Sequence, residues 1–224
     1  MLKSWMTVLC LLIGLCLLNA QAGQAAVGCD LNDPDRDVAR LFPESTGFKT
    51  SYLSIDKRGG EALLKEIEKR LGDPFQGLYE KIDVPYTFYE IFKGKKKVGY
   101  IHGVNQKGKY GGLQVFLVLD LDGIVKSFYF QKLTSKAAKK LRKPEFSRQF
   151  FGLSLKDFYP YNIQTGKSLP PGKVDQIKNP VPEAEEDFRA ALRAVKKNLI
   201  LVDEFFLNNK HLQYFPPAEA GGAS

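Results

Sequence analysis

Residues able to do acid–base, metal or thiol chemistry are scarce in this chain of 224 residues. Its imidazoles are His102 and His211, and its thiols are Cys10, Cys16 and Cys29. No Cys-x-x-Cys-His occurs, which excludes covalent haem, and no cluster has metal-ligand spacing. There is no Gly-x-Ser-x-Gly, no Walker loop and no Gly-x-Gly-x-x-Gly, so the motifs of serine hydrolysis, nucleotide phosphate binding and dinucleotide binding are absent. Asp120 and Asp122 stand close together, but they flank a turn. Turn carboxylates of that kind hold backbone amides far more often than they exchange protons.

The elements around these residues are easier to read. Val98-Gly99-Tyr100-Ile101 precedes Tyr110-Gly111-Gly112 and the run Leu113 to Leu119. Asp120-Leu121-Asp122-Gly123 follows, and Ile124 to Phe130 leaves it. β-branched and aromatic residues fill both runs, and Gly123 can take the positive φ that a hairpin turn needs. Phe146 to Gly152 is a short amphipathic piece ended by glycine. Upstream, Asp33-Pro34-Asp35 reads as the cap of a short helix to Leu41. Phe48 to Ile55 reads as a strand, Glu61 to Leu71 as a helix stopped by Gly72-Asp73-Pro74, and Tyr86 to Phe92 as a strand turning at Lys93–Lys96 into Val98 to His102. Gln164 to Gly172 has the composition of a surface loop. Pro182 to Phe206 is the clearest helix, with Ala184, Phe188, Ala191, Val195, Leu199 and Val202 on one stripe. Pro182 suits its first turn, and Glu183, Glu185, Glu186 and Asp187 complement its positive end.

The first residues read as an export signal: Lys3, an apolar run from Met6 to Leu18, and Ala20-Gln21-Ala22 as a cleavage site. Cleavage removes Cys10 and Cys16 and leaves Cys29 alone, so no intrachain disulfide remains. Cys29 reads as an exposed thiol near a flexible terminus. The formal net charge is +8, nearly all of it outside the signal. It favours anionic membrane surfaces or acidic partners; nucleic acid does not fit an exported chain.

In their order, the features from Val98 to Phe206 resemble the FMN-binding domain family. That family includes periplasmic flavin subunits of Rnf-type and sodium-pumping NADH:quinone oxidoreductase complexes, and the flavin domain of nitrous-oxide regulator proteins. Val38-Ala-Arg-Leu-Phe-Pro-Glu is similar to a hydrophobic-Phe-Pro segment ahead of many of its domains. Covalent members tether FMN through a phosphoester to the threonine of Ser/Thr-Gly-Ala-Thr, after a Val-Asp-x-Ile-like strand and before the last helix. Here Val174-Asp175-Gln176-Ile177 is followed by Lys178-Asn179-Pro180-Val181, and Val181 stands where the threonine should be. Valine has no hydroxyl to esterify. The family's Glu-Thr-Pro-Gly is replaced by Leu133-Thr134-Ser135-Lys136, in which only Thr134 matches.

The resemblance implies an α+β fold: a twisted, mainly antiparallel sheet, helices packed on one side, closed by the long C-terminal helix. Together with the signal read at 1–22 and a tail at 208–224 whose small, polar composition reads as flexible, it divides the chain into an N-terminal extension at 23–92 and an FMN-binding-type domain at 93–207. It further implies electron transfer or a supporting role beside a membrane redox complex, outside the cytoplasmic membrane, with any FMN held noncovalently. The residues to hold it are Gly111, Gly112, Thr134, Ser135, Lys178, Asn179 and Val181. The rival expectation is a flavin-free binding or assembly module on the same scaffold.

Overall fold

The computed structural model describes residues 29–76 and 80–216. The expected signal, with Cys10 and Cys16, and the last residues of the tail lie outside the described residues. Five strands form one antiparallel sheet in sequence order: β1 (Gly47–Leu53), β2 (Tyr86–Lys93), β3 (Lys96–Lys107), β4 (Gly112–Leu119) and β5 (Val125–Leu133). Each strand pairs with the next in the chain. The turns from β2 to β5 are short, whereas β1 and β2 are joined through residues 54–85, which include a helix at Gly60–Leu71. The sheet runs without a break across residues 92–93, where the sequence suggests a boundary. Gly123 has φ +76° in the β4–β5 turn, as the Asp-Gly pair predicts.

Both faces of the sheet are covered. Tyr86, Phe88, Val104, Val115, Leu117 and Phe128 face the main core. Tyr89, Ile91, Ile101, Phe116 and Val118 face a second, smaller core. That is why β4 reads as an almost unbroken apolar run rather than an alternating one. Helix α1 (Pro34–Leu41) and the segment leading to it cover the smaller core with Cys29, Leu31 and Val38. Asp33 caps α1 by accepting from Arg36 N at 3.2 Å. Cys29 is therefore buried, not exposed as its place in the sequence suggests, and burial pushes its thiol far up, away from the reactive thiolate.

The main core lies under α2 (Gly60–Leu71) and α3 (Glu185–Phe206), the helices the sequence places on one side. Gly72 ends α2 in the left-handed conformation, φ +75°. A 3-10 turn at Pro182–Ala184 leads into α3. Phe128 stacks on Phe150 with ring centroids 4.3 Å apart, and Phe146 joins them and Phe188. Burying each such ring contributes about 1.5–3 kcal/mol. The chain from 208 to 215, which the sequence assigns to a flexible tail, folds back on the domain. His211 N donates to Asp203 Oδ1 at 3.0 Å, and Phe215 packs edge-on against Tyr159.

Helix α3 is buried far beyond its apolar stripe. Arg193, Lys196, Lys197, Asn198 and Asp203 are all inside. Charges removed from water need partners. Arg193 donates to Glu80 Oε1 at 2.6 Å, to Gln106 Oε1 at 2.7 Å and to Asp73 Oδ2 at 2.5 Å. Lys197 Nζ donates to the same Glu80 oxygen at 2.5 Å and to Asn105 O at 2.8 Å. Burial alone would raise the Glu80 carboxyl, but Lys197 and Arg193 outweigh it and hold the group below the ordinary carboxylate range. One turn from the other end, Arg70 of α2 pairs with Asp203 and Glu204 and donates to Asn209 and to the Tyr159 hydroxyl. Lys196 has no carboxylate partner among the described residues: its Nζ donates to Tyr161 O at 2.7 Å. Burial pushes its ammonium down to about 8, as it does that of Lys197 despite the neighbouring Glu80.

Glu80→Ala should leave Arg193 and Lys197 buried without their shared carboxylate. Urea unfolding is expected to show a loss of about 3–5 kcal/mol; a loss under about 1 kcal/mol would mean the cluster is solvated. Lys196 behaves in the opposite sense. Its folded-state value lies below its ordinary 10.5, so between about pH 8 and 10.5 the unfolded chain binds more protons and stability rises with pH. Lys196→Met should stabilise the protein at pH 7 by about 1–3 kcal/mol, with the advantage shrinking by pH 9.5. An advantage that stays constant between the two pH values would refute the burial of the charge.

Candidate functional site

The predicted site residues form two groups. The first gathers at the tip of the β3–β4 hairpin. Gly108 N donates to Gly111 O at 2.8 Å, closing the tip. Gly111 has φ +152°, and a Cβ there would lie 2.9 Å from Thr134 Cγ2. Only glycine fits both the conformation and the space. Thr134 N donates to Gly112 O at 3.2 Å, so the chain leaving β5 is zipped against the hairpin. Gly111, Gly112, Thr134 and Ser135 thus lie at one junction.

What holds this junction is a residue outside the predicted set. Asp187, in the first turn of α3, is fully buried. Its Oδ2 accepts from Ser135 Oγ at 2.5 Å and its Oδ1 from Lys109 N at 2.8 Å. Ser135 Oγ in turn accepts from Ala137 N at 3.0 Å. The sequence marks Asp187 only as one of four acids at a helix start. Nothing in its spacing separates it from Glu183, Glu185 and Glu186, which are exposed.

The second group sits on the approach to α3. Val174–Gln176 is a 3-10 turn, not the strand that the resemblance implies. Lys178 exchanges backbone hydrogen bonds with the Gln149 amide: its N donates to Oε1 at 2.8 Å, and Nε2 donates to its O at 3.2 Å. Asn179 Oδ1 accepts from Val181 N at 3.0 Å, and Asn179 Nδ2 donates to Glu185 Oε2 at 3.0 Å. Val181 is partly buried against the main core. The hydrogen bonds of Lys178 and Asn179 run to Gln149 and α3, not to the hairpin group. The two groups meet only through α3, whose start holds Asn179 by Glu185 and Ser135 by Asp187.

This arrangement does not fit a phosphate-tethered flavin. Val181, which the resemblance would align with the attachment threonine, carries an isopropyl group. The Val181 N–H, the Asn179 amide and the Ser135 hydroxyl, which are donors a phosphate would use, already serve acceptors of the protein itself. Glu183, Glu185, Glu186 and Asp187 bring four carboxylates to a helix start that would otherwise attract an anion. A cavity of about 370 Å³ lies beside the second group, between Tyr161, Ser168, Val174, Ile177, Phe188 and Leu192. None of the seven predicted residues lines it.

Other chemistry-bearing residues are accounted for by the fold. His102 is fully buried and stacked on Phe88, and its Nδ1 lies 2.8 Å from Thr87 O. Burial pushes it down to about 3, so it is a neutral core residue at physiological pH. Asp120 Oδ1 accepts from Asp122 N and Ile124 N, both at 3.0 Å, and Asp122 pairs with Lys210. The turn carboxylates hold backbone and a surface lysine, in line with the structural reading of their spacing. Among the described residues no group of three metal-ligating side chains converges, and no helix is long and apolar enough to cross a membrane. Neither a comparison with protein-family models nor one with curated proteins returns a match.

Asp187→Ala should strip acceptors from the Ser135 hydroxyl and the Lys109 amide. A loss of about 2–3 kcal/mol in urea unfolding is expected, together with faster amide exchange at Lys109. Unchanged exchange there would show that the hairpin tip is held by something else.

Proposed function

We propose that the chain is a flavin-free accessory or assembly module of an exported redox complex, built on a scaffold of the FMN-binding type. The observation that carries this reading is the state of the approach to α3. Val181 stands in the tether position, and the neighbouring donors are bound to Asn179, Glu185 and Asp187. A phosphate entering there would displace three intramolecular hydrogen bonds and face uncompensated carboxylates. Each bond left unmade costs about 1–3 kcal/mol when buried. The module's place beside a redox complex rests on the order of sequence features from Val98 to Phe206. Its working parts are then its surfaces rather than a cofactor.

A second reading, a carrier of noncovalent FMN, is favoured by one observation. The cavity of about 370 Å³ is bordered by Val174 and Ile177, in the stretch just ahead of the residues that line up with the flavin-bearing motif. Its size falls at the lower end of small-molecule sites.

The test is a visible spectrum of the protein co-expressed with a flavin transferase, followed by FMN titration read by flavin fluorescence. A colourless protein with no saturable quenching up to about 100 μM FMN is expected. Colour that survives denaturation would refute the assignment of Val181. Saturable binding that denaturation abolishes would establish the noncovalent carrier instead.

A further inference from the structure

The hairpin tip and the chain after β5 also create a surface. From residue 132 to 144 there is no acidic residue. Lys132, Lys136, Lys139, Lys140 and Lys143 are all exposed, and among the described residues none of them has a carboxylate within 4 Å. The junction at Gly111 and Thr134 brings these lysines to the hairpin tip, which adds the exposed Lys107 and Lys109. Between them stands Tyr110, 45 % exposed. Lys136 Nζ lies 5.0 Å and Lys109 Nζ 5.8 Å from the centre of its ring. Lys109 has one acid nearby, Glu186 at 4.0 Å. The two segments, far apart in sequence, thus meet at Tyr110, flanked by Lys109 of the hairpin tip and Lys136 of the chain after β5, whose further lysines follow close in sequence.

We propose that this face docks the chain on an anionic lipid bilayer. The choice of a bilayer over an acidic protein follows from the side chains. Protein interfaces are depleted in lysine and use arginine, whose planar fork matches a single carboxylate. Lysines are hydrated point charges on flexible stems. They suit a diffuse layer of headgroups, where no fixed partner geometry is required, and each one near an anionic leaflet raises partitioning about fivefold. A half-exposed tyrosine has the amphipathic ring that settles at headgroup depth. The cation–ring contacts hold Tyr110 at the centre of the charge, so ring and ammonium groups reach the surface together. The inference uses no flavin and is independent of whether one binds.

The test is partitioning of the full chain onto unilamellar vesicles of phosphatidylcholine, alone or mixed with phosphatidylglycerol, at about 0.15 M salt. The expected result is at least about tenfold stronger partitioning onto the anionic vesicles. Combining Lys136→Glu, Lys139→Glu, Lys140→Glu and Lys143→Glu should abolish that preference. A variant of equal net charge, with Lys57→Glu, Lys65→Glu, Lys95→Glu and Lys96→Glu, should keep most of it. All eight side chains are exposed, and circular dichroism checks that both variants fold. Equal partitioning onto both vesicles overturns the proposal. So does an equal loss in the two variants, which would reduce the effect to net charge. Binding to polyglutamate without binding to anionic vesicles would reassign the face to an acidic protein.

Discussion

Glu80 meets both Arg193 and Lys197 inside the protein, and much of the remaining architecture depends on that contact. Helix α3 packs on the sheet with its apolar stripe, as an amphipathic helix does. Its charged face is then also covered, because α2, the segment after it and the chain around Tyr161 lie on top. A helix in that position is stable only if the covering chain supplies its counter-charges. Glu80 and Asp73 do so near the middle of α3, and Arg70 does so for Asp203 and Glu204 near its end. Two residues of the covering chain neutralise the helix, and one residue of α2 is neutralised by it. The sheet, α2 and α3 are thereby tied by electrostatic necessity as well as by apolar burial. Buried pairs of this kind add little net stability over an apolar core, but losing one partner is severe. They act chiefly to define which segment covers α3.

The same logic operates at the start of α3. A helix N-terminus with free amides is a site for anions. In this chain the acids at that end bind other segments: Asp187 accepts from the hairpin tip and from Ser135, and Glu185 accepts from Asn179. The positive end of the helix therefore organises protein rather than ligand. The hairpin held by these bonds projects Tyr110 and its lysines outward.

Much of the element pattern was legible from local rules. The Asp33 cap, the Gly72 stop, the Gly123 turn and the long helix after Pro182 each follow from one or two residues and their spacing. The contact of Thr134 with Gly111 and Gly112 comes from the fold. Other positions were not readable. Cys29 follows small and polar residues and looks exposed, but its neighbours in space are Val38 and the outer face of the sheet. Arg193, Lys196 and Lys197 lie off the apolar stripe, on the side an amphipathic helix turns to solvent. Asp187 looks like its acidic neighbours. In each case the deciding contact comes from a segment dozens of residues away, and sequence spacing carries no record of it.

The amino-acid sequence alone therefore determined the order and type of the main elements, the antiparallel sheet closed by a C-terminal helix, and the lack of a hydroxyl at Val181. These depend on backbone preference, local periodicity and the presence or absence of an atom. The tertiary structure alone decided that Arg193, Lys197 and Asp203 of α3 are buried and paired, that residues 208–215 return to the domain, and that the hairpin tip and the chain after β5 meet at Tyr110. Those outcomes depend on which distant segments exclude water from each other, a property of the assembled chain.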